Sequence, residues 1–310
     1  MRPDFSAGFH RLADPKISLA SLAAILLGSC AAAADGPLHW GWLALTVLGI
    51  FALEVAKNAS GEVVDFDSGV DLAVAATDRS PFSGGKRVLV DGLLTRGQTI
   101  GIALAAYGVG VAAGIAIALA REPAVLWLGV VGVACAYFYH ALPLRLSYRG
   151  WGELAVVLCY GPLIASGTYL VQRGRISGGL VAASLPLGLL IGAFLWINEF
   201  PDWAADRASG KRTLVVRLGR KRACLGFVWI VAAAFALLLV APALAGLPRA
   251  VWLGGAAAVP AAFAARRLWR EPEVTARIVP AQVATLLAFV LYALAAGLGF
   301  LIGGARELVR

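Results

Sequence analysis

Asn198–Gly219 reads NEFPDWAADRASGKRTLVVRLG and closes a long apolar run. Asp202 and Asp206 stand four residues apart, so a helix places both carboxylates on one face. Gly210, Lys211, Arg212 and Thr213 follow, then Arg217, Arg220, Lys221 and Arg222. Ionised carboxylates at the end of a membrane span are costly unless a cation offsets them. A divalent metal would hold such a pair, and the cations beyond it suit a phosphate. A positive-inside loop at a helix end accounts for the arginines but poorly for the paired aspartates.

The rest of the chain sets that stretch in a membrane. Of 310 residues, 60% are hydrophobic and only 15% charged, with mean hydropathy +0.80, which excludes an ordinary soluble domain. The +9 net charge raises nucleic acid as a partner. Its placement argues against that, because the cations sit in short loops between apolar runs, where they face anionic lipid and draw in anionic substrates. Cys30, Cys135, Cys159 and Cys224 lie in or beside apolar runs without CxxC spacing and read as small core residues. The opening MRPDFSAGFHRLADPK is too polar and long for a signal-peptide n-region, so no cleavage is expected.

Nine apolar runs of roughly bilayer-spanning length are expected, near 17–34, 39–57, 98–120, 124–142, 152–171, 178–199, 223–245, 249–265 and 281–303. The eighth is short and rich in Ala and Gly. Threading the chain through them leaves 21 of its 27 Lys and Arg on one side, Arg2 included, and 6 on the other, Arg310 included. This bias puts the N-terminus inside, the C-terminus outside and the acidic and basic loops in the cytoplasm of a multi-pass inner-membrane protein. The expectation is an all-α membrane bundle forming a single domain over residues 1–310.

The loop after the second run opens with KNASGEVVDFDSGVD, Lys57–Asp71. Asn58, Glu62 and Asp65 share one helical face, and Ser68-Gly69 should break that helix before Asp71. Further on, Gly84-Gly85 could bring backbone amides to an anion beside Lys86 and Arg87, a weak signal by itself. The two acidic stretches end runs two and six, so both face the same side and can wall one cavity. Two such clusters with cations nearby suit a diphosphate bound through Mg²⁺, a hard cation completed by substrate phosphates. Charge developing on a departing diphosphate would be neutralised there, and an oily chamber would shield the allylic cation left behind.

These blocks together resemble the UbiA superfamily of intramembrane prenyltransferases over nearly the whole chain. That family implies nine helices around a cavity and two Asp-rich motifs, after the second and sixth. The resemblance makes Asp65, Asp71, Asp202 and Asp206 metal ligands, with Glu62 a further candidate, and Asn58 and Asn198 neighbours of the diphosphate. It gives Lys211 and Arg212 to the diphosphate, and through RLADPK (11–16) Lys16 as well. SGGKRVLVDGLL (83–94) and YHALPLRLSYRGWGELAVVLCYGPL (139–163) are similar to the branch that prenylates 1,4-dihydroxy-2-naphthoate. By that likeness Lys86, Arg87 and Arg145 contact diphosphate, and Tyr139 sits by the allylic carbon, where a ring face stabilises positive charge.

Two positions depart from the family pattern. Gly61-Glu62 stands where Asn-Asp is usual, and Glu199 where an amide or Asp is commoner. Glu153 reads equally as a cap or as a polar cavity residue. His140 reads as an interfacial polar residue, and histidine catalysis is not expected. The partners implied are a polyprenyl diphosphate, a small aromatic acceptor and the bilayer. The acceptor remains open between dihydroxynaphthoate, 4-hydroxybenzoate, a chlorophyll-type ring acid and a glycerol-phosphate lipid, with its pocket expected among runs one, four and five. An ion-coupled transporter is the reading from another class, though transporters keep their acids near the midplane, not at span ends beside basic loops.

Overall fold

The computed structural model describes residues 4–307, and among them there is no β-strand beyond an isolated Ser80–Ser83 bridge. Arg2 and Arg310, both part of the charge count, lie outside the described residues. The chain begins with helices α1 (Phe5–Ala13) and α2 (Pro15–Ala34), then the long α3 (Trp40–Asp67) and the single turn α4 (Val70–Ala73). α5 (Arg96–Ala120) and α6 (Val125–Phe138) follow. α7 (Gly152–Leu158) runs through a π-helical turn at Cys159–Leu163 into α8 (Ile164–Arg173). α9 (Gly178–Ala208), the short α10 (Leu214–Leu218) and α11 (Arg220–Ala245) come next. A 3-10 segment at Arg249–Ala257 leads into α12 (Ala258–Arg270), and α13 (Thr275–Glu307) closes the bundle.

Local chemistry sets several of these starts. Asp4 caps α1 through Ala7 N at 3.0 Å, and Thr95 with Gln98 forms a reciprocal capping box on α5. Ser177 and Thr213 accept from Leu180 N and Val216 N to start α9 and α10.

Every apolar run is largely helical, but the expected count of nine spans is not reached by length and composition. Among the described residues six helices qualify: α3, α5, the α7–α8 unit, α9, α11 and α13. α1 and α2 make a seventh only if their 47° bend is counted within one span. That bend falls at Asp14-Pro15, where Asp14 takes φ +34. Run four gives only the 14-residue α6, which unwinds at Tyr139. Run eight starts as 3-10 turns and ends in Arg266, Arg267 and Arg270.

The core lies where α9 is wrapped by α2, α8, α11 and α13, around Leu187, Phe200, Phe227, Phe289 and Tyr292. α5 packs along α3 at the edge of the bundle. Two lengths position the site. α3 has 28 residues and α9 has 31, so each is about 40 Å or more long, against an apolar bilayer thickness of about 30 Å. Both helices are thus several turns longer than a straight crossing needs, and their last turns carry the acids.

Candidate active site

On α9 the last turns hold Asn198, Glu199, Asp202 and Asp206. Past Gly210 the chain folds back, and Lys211 N donates to Asp206 O at 2.8 Å. This turn sets the Lys211 ammonium 3.4 Å from Asp206 Oδ1 with only 16% of its side chain exposed. Burial alone would push its pKa down, yet Asp206, then Asp65 and Asp202, hold it well above the ordinary lysine value. One ammonium therefore answers to carboxylates from both acidic stretches.

The acids of α3 are wired differently. Tyr148 OH donates to Asp65 Oδ1 at 2.7 Å and lies 2.9 Å from Ser68 Oγ. The Tyr148 ring has two cations against it, the Arg145 guanidinium 4.2 Å from its centre and the Lys211 ammonium at 5.7 Å. Glu62 Oε1 accepts from Leu89 N at 2.8 Å. The helix ends at Ser68, Gly69 turns with φ +78, and Asp71 enters from α4. Burial, then Asp65 and Glu62, push the Asp71 carboxyl up to about 8.

Gly84 and Gly85 both take positive φ, and a Cβ on Gly85 would lie 2.2 Å from Asp71 Oδ1. The Gly84 amide faces Asp202. The glycine pair therefore packs between the two acidic clusters, against a carboxylate of each.

The remaining expected residues divide. Arg145 and Tyr139 border the cluster. Lys86 pairs with Asp14, and Arg87 (φ +54) donates to Asp71 O at 2.8 Å and lies 3.4 Å from Asp91. Lys16 donates to Pro81 O at 2.9 Å, and the Asn58 amide is committed to Leu12 O at 2.8 Å. Asn198 accepts from Gln282 at 3.0 Å. Arg212 is not brought into the cluster: its side chain is exposed, and its backbone N–H donates to Tyr148 O. Glu153 accepts from Leu214 N at 2.6 Å, so it caps α10 across the bundle. His140, expected as an interfacial polar residue, is packed into the site. Its Nδ1 lies 3.9 Å from Asp65 Oδ1, its ring stacks edge-on to Tyr139, and it fills the space over Gly61, where a Cβ would come within 2.6 Å of it.

Behind the cluster lies a cavity of about 580 Å³ between α3, α5, α6 and the α7–α8 unit. Leu53, Leu128, Val133, Phe138 and Leu163 are among its apolar lining residues, and Tyr139 stands at its polar end. It involves runs two to five. It also exposes three residues the sequence reading passed over: Glu54, Lys57 and Tyr160. Lys57 donates to Tyr160 OH at 3.1 Å and lies over the Tyr139 ring at 5.7 Å. Glu54 and Lys57 were readable as charges inside an apolar run. Tyr148 had no such signal.

The donor set suits a hard cation. Asp202 Oδ1, Asp206 Oδ1, Glu62 Oε2 and Glu199 Oε2 are buried without a hydrogen-bond partner among the described residues, and oxygen is what Mg²⁺ takes. Among the described residues no three His, Cys, Asp or Glu side chains are already gathered at metal-holding distance. The carboxylates instead share Lys211.

Residues 21–279 match the profile of the UbiA prenyltransferase family. A Mycobacterium tuberculosis protein named 1,4-dihydroxy-2-naphthoate octaprenyltransferase is 29% identical over 289 residues, 91% of this chain and 93% of its own length. A Bacillus subtilis protein of the same name is 28% identical over 184 residues, 59% of this chain and 56% of its own length. A UbiA homolog from Archaeoglobus fulgidus, solved bound to GPP and Mg²⁺, superposes with TM-score 0.60 at 15% identity, covering 93% of this chain and 99% of that one.

Proposed function

The chain belongs to the UbiA prenyltransferase family, and on that premise we propose that it moves a polyprenyl group from an allylic polyprenyl diphosphate to 1,4-dihydroxy-2-naphthoate, releasing diphosphate. One observation carries the chemistry: carboxylates from two distant helix tips converge on the buried Lys211 beside an oily cavity. The names of the Mycobacterium tuberculosis and Bacillus subtilis relatives support the naphthoate acceptor.

In this reading Asp65, Asp71, Asp202 and Asp206, with Glu62, hold Mg²⁺, the ion present with GPP in the Archaeoglobus structure. When bound, the metal supplies neutralising charge to the departing diphosphate. Lys211 gives up part of its interaction with the carboxylates to a diphosphate oxygen. Arg145, against the same Tyr148 ring, is placed to take another, and Lys16, Lys86 and Arg87 stand at the loop side of the site. Tyr139 faces the allylic carbon where the cavity meets the acids, and the apolar lining keeps water from the cation. The chain acts as one domain in the inner membrane, with its N-terminus and this site in the cytoplasm.

The test is to incubate purified protein with farnesyl diphosphate, Mg²⁺ and single aromatic acids, and to weigh the product. Prenylated naphthoate and diphosphate should form only when all three are present. Absence of a prenylated product with every aromatic acid would reject the enzymatic reading, and preference for another acid would replace the acceptor.

A further inference from the structure

Glu54 sits mid-helix on α3, 5% exposed, on the wall of the cavity. Neither of its carboxylate oxygens has a hydrogen-bond partner among the described residues. Three hydroxyls face it, those of Ser18 and Ser21 of α2 and of Tyr160. Ser18 and Ser21 donate instead to Ala13 O at 3.2 Å and Ser18 O at 3.0 Å, while Tyr160 OH accepts from Lys57 at 3.1 Å and keeps its own proton for Glu54. A buried carboxylate served only by neutral hydroxyls is expensive, and in a membrane span it marks a function.

Lys57 is one turn further along the same helix, so both side chains share the cavity face. Its ammonium lies 5.7 Å from the centre of the Tyr139 ring and 5.5 Å from that of Tyr160. The π-helical turn at Cys159–Leu163, which contains Pro162, carries Tyr160 to this spot. The wall thus offers a proton acceptor, a cation and two aromatic faces, beside the cluster that would hold the diphosphate. None of these groups is needed for the metal.

We propose that Glu54 is the base that takes the hydroxyl proton of the aromatic acceptor, while Lys57 holds the acceptor's anionic oxygen. This rests on the prenyltransferase reading and extends it to the second substrate, a hydroxylated aromatic acid. The O–H bond breaks and its proton passes to the Glu54 carboxylate. Electron density pushed into the ring forms the new bond from a ring carbon to the allylic carbon. The allylic C–O bond breaks first, its electron pair leaving on the diphosphate, and the allylic cation so formed accepts the ring carbon's pair. The attacked carbon then loses its carboxylate as carbon dioxide, and that bonding pair restores the aromatic ring as a phenolate. The phenolate recovers its proton from Glu54, so the carboxylate is regenerated.

The experiment measures steady-state kinetics with each substrate varied separately. Glu54→Gln, which keeps shape and removes the base, should lower kcat about 100-fold with the KM for farnesyl diphosphate unchanged. Glu54→Asp should recover part of the rate. Lys57→Met should raise the KM for the aromatic acid about tenfold or more and leave the donor's KM alone. A Glu54→Gln enzyme with wild-type kcat overturns the inference, as would equal KM changes for both substrates in Lys57→Met. If Glu54→Gln does not fold, Glu54→Asp decides: lowered kcat with unchanged donor KM supports the base, and wild-type kcat removes it. A wild-type protein that forms no prenylated product strikes the proposed function instead, so the two failures are distinct.

Discussion

The two acidic helix tips are similar in sequence but not in structure. On α3, Asp65 is tied to Tyr148, Glu62 to Leu89 N and Asp67 to Arg96 at 2.9 Å. On α9, Asp202 and Asp206 each leave a buried oxygen without a hydrogen-bond partner among the described residues, and the nearest cation to Asp206 is Lys211. The surroundings differ too. In the most apolar 18-residue window of each helix, 72% of residues are buried in α9 against 33% in α3. The first tip is thus positioned largely in advance by protein groups, with Glu62 Oε2 still unpartnered, while the second is fixed by its helix and left electrostatically hungry. A cation arriving with substrate gains most at the second.

The largest effect should come from removing a carboxylate there. Asp202→Ala is expected to lower turnover about a thousandfold or more with only a small fall in the melting temperature of the detergent-solubilised protein, because Asp202 Oδ1 has no hydrogen-bond partner and only the contact with the Gly84 amide is given up. Asp65→Ala should lower turnover comparably and also melt earlier, since it orphans the Tyr148 hydroxyl. Activity assays with thermal melts on both variants would test this. Equal melting losses would erase the distinction between the tips, and full turnover in either would remove its metal role.

Next is the ammonium they share. Lys211→Met leaves Asp206, Asp65 and Asp202 facing one another, and breaking such a buried pairing costs about 3–5 kcal/mol. We expect a lowered melting temperature that added Mg²⁺ restores far more in the variant than in the wild type, because the metal replaces the lost charge. A melting temperature insensitive to Mg²⁺ in Lys211→Met would mean that lysine and metal do not answer to the same carboxylates.

A smaller effect concerns Asp71. Its carboxyl, ordinarily at 3.8, is pushed up to about 8, chiefly by burial and then by Asp65 and Glu62. The folded protein therefore keeps a proton that the unfolded chain has released between those values. Stability is full below the lower value and falls as pH rises through the upper one. Mg²⁺ must displace that proton, so its affinity should climb from pH 7 to 9, with proton release visible as buffer-dependent heat in calorimetry. Asp71→Asn should flatten that dependence, and a wild-type affinity level over the range would rule out Asp71 as a proton-bearing ligand.

Much of this arrangement is legible in the chain, and the misses have physical causes. The spacing of Asp202 with Asp206, and of Asn58, Glu62 and Asp65, needs only helical periodicity, and α9 and α3 supply it. The span count outruns helix length at α6, where an apolar stretch unwinds at Tyr139 before the hydropathy falls. α1 went unpredicted because nine residues of mixed polarity form a helix only against α3, where Leu12 is buried. Glu54 and Lys57 were hidden by averaging over an apolar run. The packing of Gly84 and Gly85 is a tertiary matter, set by where α4 and α9 bring Asp71 and Asp202.

Tyr148 gives the least expected effect and the finest test of the contrast. It belongs to the loop between α6 and α7, and no local pattern marks it. Its hydroxyl nevertheless donates to Asp65 at 2.7 Å, while its ring has Arg145 and Lys211 against it. Tyr148→Phe keeps the ring and removes one hydrogen bond to a charged group, worth about 1.5–3 kcal/mol at most, so turnover should fall about tenfold. If the α3 tip is positioned by protein groups, that loss belongs in kcat, with little change in the Mg²⁺ concentration for half activity. A shift in Mg²⁺ requirement with kcat preserved would mean that Tyr148 tunes metal affinity, and that the α3 tip is no better organised in advance than the tip of α9.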